Sequence, residues 1–197
     1  MNAPRPYRMT NRAIAAAQTA DNILGATKDL VAEKPFREIT LADIAARSGV
    51  TVQTILRRFG DKDSVFAAAV TRFTAEVHEQ RGHAVPNNVA DIVANLVQHY
   101  EDWGRLMLHL LSEQHTAPAV ADTIAAAKRY HRDWCQAMFP DALDGLKEPN
   151  RSRRLAELVA ICDLRTWELL RIDFGLSRAE TAAALREMLE PLTTKEP

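Results

Sequence analysis

The chain predicts an all-α protein, with a small N-terminal head of short helices and a larger C-terminal helical bundle. Three observations carry this expectation. Apolar residues recur three and four apart through most of the 197 residues, the spacing of one helix face. Nothing in the chain reads as a ladder of strands. Capping residues and Gly or Pro breaks divide the helical pattern into separate segments. The expected organisation is a basic arm over 1–11, a head with its connecting helix over 12–81, and a body over 88–197.

The first helix is expected over about Asn11–Glu33, carrying Ile14, Ala17, Ile23, Leu24, Thr27, Leu30 and Val31 and ending before Pro35. Ahead of it, Arg5, Arg8 and Arg12 precede any acidic residue. Such an arm can lie along phosphates or enter a minor groove, and it can equally be a solvated tail. Phe36 and Ile39 should plug the head core from the connecting loop. Ile39, Leu41, Ile44 and Ala45 then form the apolar stripe of a second helix. Thr40 and Asp43 make a capping box at its start, and Gly49 ends it where positive φ is wanted. Thr51 caps a third helix, Val52–Phe59, whose Ile55 and Phe59 face the second. Its other side, with Thr51, Gln53, Thr54, Arg57 and Arg58, points outward. A short polar and basic helix braced on another is a helix-turn-helix, the shape that fits a DNA major groove. A fourth helix starts at Asp61 and runs through Val65, Phe66, Val70 and Phe73 to about Gln80. Gly82–Asn88, with Pro86, reads as the boundary between head and body.

This segment resembles the DNA-binding domain of the TetR family of bacterial transcriptional repressors. The family pattern T-x-x-x-I-A-x-x-x-G-V-[ST]-x-x-x-[LI]-x-x-x-F-x-x-K is met by Thr40, Ile44, Ala45, Gly49, Val50, Thr51, Ile55, Phe59 and Lys62. The match covers about Arg12–Phe73. The resemblance implies DNA contacts from Thr40, Thr51, Val52, Gln53, Thr54, Arg57, Arg58 and Lys62, the last to a phosphate. Two positions depart from the pattern. Gln53 stands where Gly or Ala is usual, and its amide can pair bidentately with adenine N6 and N7. Leu56 replaces an aromatic, usually Tyr, and so removes an expected backbone contact.

In the body, Val89, Ile92, Val93, Leu96, Val97 and Tyr100 mark an amphipathic helix, expected to break or bend at Gly104. It resumes as Arg105–Gln114, apolar nearly all round and so expected to be buried. The next helix starts near Thr116 and Pro118 and runs to about Phe139. Pro140–Pro149 reads as a loop with one short turn. A long helix capped by Asn150 is expected to reach Phe174, closed by Gly175, and a last helix follows a Ser177/Glu180 capping box. These last two helices carry more apolar surface than one subunit needs. Leu158, Cys162, Arg165, Leu169, Leu185, Met188 and Leu189 are therefore expected at a homodimer interface, as in the family. A closed subunit core is the plainer reading of the same residues. Trp103, Met107, Tyr130, His131, Trp134, Met138 and Trp167 combine apolar mass with polar tips, the balance of a cavity for a largely apolar small-molecule effector. Ordinary packing explains aromatic and Met residues at helical spacing equally well.

Charge is nearly balanced, with 25 Lys and Arg against 26 Asp and Glu, but Met1–Arg81 holds 12 basic and 9 acidic residues and the remainder 13 and 17. No apolar run is long enough to span a bilayer, and the N-terminus lacks a signal-peptide core. Cys135 and Cys162 have no metal-ligand spacing and read as buried free thiols in a reducing cytoplasm. His99, His109 and His115 do not share a helix face and read as surface or pocket polar groups. No metal or cofactor is expected. With no phosphate loop and no metal or nucleophile constellation, an enzyme is not expected. The expected partners are a palindromic operator in double-stranded DNA, a second copy of the chain and the effector. The expected function is repression relieved by that effector. The alternative is an interaction protein using the helix-turn-helix as a fold element only.

Overall fold

The computed structural model describes residues 6–115 and 118–194, with side chains from Ala13 onward. Ten α-helices and no strand occur among the described residues. The chain divides into two compact units, Met1–Thr74 and Ala75–Pro197, and the division falls inside the fourth helix rather than at Gly82–Asn88.

The first unit opens with α1 (Pro6–Glu33), which starts five residues ahead of the expected Asn11 and takes in part of the stretch read as an arm. Arg5 and the side chains of Arg8 and Arg12 lie outside the described residues. A single 3-10 turn, Phe36–Glu38, leads to α2 (Leu41–Ser48), α3 (Val52–Phe59) and α4 (Lys62–Gly82). Ile23, Ile39, Ile44, Ile55 and Val65 are fully buried and join the four helices into one core. Phe36 packs on Phe66 with ring centroids 4.6 Å apart. Charges clamp α2 to the end of α1: Arg47 donates to both carboxylate oxygens of Glu33, at 2.9 and 2.7 Å, and Lys34 Nζ lies 2.9 Å from Asp43 Oδ2. Arg72 of α4 pairs with Asp21 of α1.

The second unit takes the C-terminal part of α4 and then α5 (Val89–Ser112), α6 (Pro118–Met138), the one-turn α7 (Pro140–Leu143), α8 (Asn150–Ile161), α9 (Leu164–Glu168) and α10 (Arg178–Thr193). Its core runs from Ile92, Val93, Leu96 and Tyr100 through Trp134, Phe139, Leu158 and Trp167 to Leu185 and Leu189. Asn88 caps α5, and Ser177 with Glu180 forms the expected capping box of α10.

Four expectations for this unit are corrected. Helix α5 passes through Gly104 without interruption; a Cβ there would stand 2.6 Å from Trp167 Cζ3, so the glycine serves close packing and not a break. The segment after it is half-buried rather than buried. The long helix expected over Asn150–Phe174 is broken. It ends at Cys162, Asp163 caps the new helix α9 through Arg165 N, and a π-turn over Leu169–Asp173 follows. Asn150 is the first residue of α8 and not its cap; Glu148 supplies the side-chain acceptor instead, bonding Ser152 N and Oγ at 3.3 and 2.5 Å.

Candidate nucleic-acid interface and body interior

The geometry of the head follows from its caps. Thr40 Oγ1 accepts from Asp43 N, while Asp43 Oδ2 accepts from Thr40 N at 2.8 Å, so both orphan donors at the start of α2 are satisfied. These bonds, led by Lys34 Nζ and then by Thr40, hold the Asp43 carboxyl down at about 2. Gly49, at φ 71°, turns the chain, and Thr51 accepts from Thr54 N to start α3. Ile55 is then fully buried beneath α3. Thr51, Gln53, Arg57 and Arg58 are exposed, with Val52 and Thr54 half-buried beside them. Leu56, where an aromatic is usual, is 38% exposed.

Three of the expected contact residues besides Thr40 are partly engaged within the head. The hydroxyls of Thr51 and Thr54 bond each other at 2.9 Å. Lys62 Nζ donates to the Phe36 carbonyl at 3.0 Å and sits 4.5 Å from the Phe36 ring centroid. Lys62 thus ties the start of α4 to the loop after α1, a role the spacing alone did not show.

The residues expected to hold an effector divide in the structure. Trp134, Met138 and Trp167 are buried in the body core, while Trp103, Met107, Tyr130 and His131 are half-buried. Tyr130 stacks on His78 at 3.9 Å. At their centre stands Arg81, which the sequence reading assigned to no site. It is 2% exposed. Its guanidinium lies 3.8 Å from the Trp134 ring centroid and its carbonyl accepts from Trp134 Nε1 at 3.1 Å. Its Nη2 is 3.4 Å from His131 Nδ1, and the opposite ring nitrogen is 3.3 Å from the Val159 carbonyl. With Nε2–H turned to the Val159 carbonyl, His131 Nδ1 accepts from Arg81. No carboxylate pairs with Arg81 among the described residues. Stacking on Trp offsets only about 2 kcal/mol even when desolvated, against several for burying the ion.

His99 is fully buried, not at a surface, and neither ring nitrogen has a hydrogen-bond partner. Burial, and then the charges of Arg81 and His131, lower its pKa from near 6.5 to about 3, so it is neutral. Cys135 and Cys162 are free and buried as expected, and the fold brings the two thiols close enough to perturb each other. The Cys162 thiol, then His131 and Arg81, favour ionisation of Cys135, while Cys135 first and then burial push Cys162 up. The basic neighbourhood missing from the sequence around the thiols is supplied from α4 and α6.

The expected interface residues are also corrected. Leu158, Cys162, Leu185 and Leu189 are at most 1% exposed within the subunit, because α8 and α10 close its own core. Arg165, Leu169 and Met188 do face outward, as do Ile172 and Phe174. Among the described residues no helix is long and apolar enough to cross a membrane, and no three metal-binding side chains gather.

A capped turn, a buried brace and an outward basic helix make up a helix-turn-helix, and comparison with known proteins agrees. Residues 23–69 match the model of the bacterial regulatory proteins of the tetR family. The HTH-type transcriptional regulator AlkX of Mycobacterium tuberculosis is 25% identical over 63% of this chain, a stretch spanning about half of that relative, 54% of its length. Two solved structures share the fold. A transcriptional regulator from Rhodococcus sp. Rha1 is 20% identical with a TM-score of 0.63, covering 88% of this chain and 95% of that one. Salmonella enterica GusR is 18% identical with a TM-score of 0.64, covering 89% and 95%. The tetR-family match lies within the head, over α2, α3 and parts of α1 and α4. Regulators of this family are not enzymes, in line with the expectation from the sequence.

Proposed function

We propose that the chain is a homodimeric repressor that binds a palindromic operator through α3 and is released when a small molecule occupies the body. The observation that carries this reading is the exposure of Gln53, Arg57 and Arg58 on a helix anchored from beneath by buried Ile55. Gln53 reads a base edge, and Arg57, Arg58 and Lys62 hold phosphates once DNA competes for the Lys62 ammonium. Thr40, Thr51, Val52 and Thr54 line the approach. One short helix reads few base pairs, so two heads a helical turn apart supply the affinity and select a palindrome. Leu169, Ile172, Phe174 and Met188 are apolar and 42–73% exposed, which supports pairing of two copies there.

The test is a titration of labelled DNA from upstream of the coding region at several salt concentrations. Binding to a specific palindrome with a steep negative salt slope is the expected result. A flat slope, or no binding, would favour the helix-turn-helix as a mere fold element. Release requires the effector to bind better to a body conformation that holds the heads at another spacing. By linkage, operator DNA then weakens effector binding by the same factor.

A further inference from the structure

We propose that the effector site inside the body is built for a monoanionic carboxylate, with Arg81 as the anion-binding group and the buried ring of His99 as a second donor. The inference rests on the body being an effector site and adds the chemistry of its occupant. Arg81 and His99 belong to α4 and α5, and both are nine-tenths or more buried. Arg81 Nε has no partner, nor has either nitrogen of His99, nor Trp167 Nε1. In a folded core such groups are nearly always satisfied. The other buried atoms of α4 and α5 without a hydrogen-bond partner are Gln80 Oε1 and Asn95 Oδ1, on side chains anchored by hydrogen bonds to each other's main chain, 2.8 and 3.0 Å long, and His109 Nε2, which faces Glu113 Oε1 at 3.3 Å. The open groups are three donors, Arg81 Nε, Trp167 Nε1 and one N–H of the neutral His99 ring, against one acceptor, the other His99 nitrogen, so the missing group is chiefly an acceptor.

Charge decides its kind. The Cys135 thiol, whose ionisation is favoured here, is the one competing anion and is tested below, while Arg81 is a permanent single positive charge. One carboxylate balances it; a phosphate dianion leaves a net negative charge in the core. The planar face of a carboxylate also matches the Nε edge of the guanidinium, which stays free while Nη2 is turned to His131. Trp134 and Tyr130, flanking the guanidinium, offer ring surface to the apolar remainder of such an acid.

Calorimetric titration of the full-length protein with acetate, benzoate and octanoate, each against its alcohol, tests this, with tryptophan fluorescence as a second readout. At least one carboxylate should bind saturably, about tenfold or more tighter than its alcohol. Arg81→Met should abolish the preference, and His99→Leu, which fills its own space with apolar atoms, should reduce it. If Arg81→Met does not fold, the wild-type comparison and His99→Leu still decide. Equal binding of acid and alcohol, or no binding of any acid, overturns the proposal. Carboxylate binding to Cys135→Ala alone overturns it too, since the Cys135 thiolate would then be the resident counter-ion. Operator binding is measured separately. Failure there would sink the repressor reading and leave the isotherms untouched, whereas an acid that binds without releasing DNA leaves the site standing and removes its inducing role.

Discussion

At the scale of single residues, the side chains of α3 should separate into those that read sequence and those that hold the backbone. Gln53 is exposed and its amide can satisfy both edge atoms of adenine, so Gln53→Ala should weaken the preferred operator by about 1–3 kcal/mol and relax the preference at one base pair. Arg57→Ala should weaken every sequence alike and reduce the salt slope by about one. A panel of operators with single base changes, titrated with both variants, checks the distinction; an unchanged preference in Gln53→Ala would remove it as a reader. His99 makes a second prediction, in the body. Its folded pKa of about 3 lies below the unfolded value near 6.5, so the unfolded state binds the extra proton first. Its contribution is intact above about pH 6.5 and is lost as pH falls towards 3, with a slope of up to about 1.4 kcal/mol per pH unit. Denaturant titrations across that window should show the slope in the wild type and a flatter profile in His99→Leu. Arg81 and His131, the charged and titratable groups facing the ring, are unchanged in that comparison.

At the scale of elements, packing at Gly104 can be tested directly. A methyl at this position meets the Trp167 indole, a rigid and buried ring with no room to retreat. Gly104→Ala should therefore destabilise the body by about 1–3 kcal/mol despite the better helix propensity of alanine. Adding Trp167→Leu should cost much less in that background than in the wild type, a non-additivity that a double-mutant cycle measures. The same glycine shows where the sequence is readable and where it is not. Caps are local chemistry, so Thr40 with Asp43, Thr51 with Thr54 and Ser177 with Glu180 could be placed from three-residue spacings alone. Gly104 looked like a helix end because its reason, an indole sixty-odd residues away, is not local. The break at Cys162–Asp163 was hidden likewise. The apolar pattern runs on across it, and only Asp163 turning to cap Arg165 N marks the new start. Arg81 carries no local signal in the sequence, since its burial by Trp134 and His131 comes from residues some fifty positions on. The buried centre of the body was therefore invisible in the sequence, whereas the outward face of α3 was legible almost residue by residue.

At the scale of the whole molecule, the question is what the last helices are for. Their apolar residues were expected to face a partner, yet Leu158, Leu185 and Leu189 close the core of their own subunit. Truncation before Arg151 would remove that core, so it would unfold the body and reveal nothing of assembly. The discriminating change has to fall on what remains outside: Leu169, Ile172 and Phe174 around the π-turn, and Met188 on α10. Phe174 is 73% exposed, so Phe174→Glu should cost the subunit little stability. In a paired surface the same change buries an unpaired carboxylate twice, once for each symmetry-related copy. Phe174→Glu combined with Met188→Glu should therefore leave the melting temperature close to wild type while shifting sedimentation from dimer to monomer. Operator affinity should fall steeply, because each head then binds without the effective concentration supplied by its twin. A variant that stays dimeric in sedimentation would place the pairing surface elsewhere. One that becomes monomeric and still binds the full palindrome as tightly would show that the two heads do not depend on that pairing.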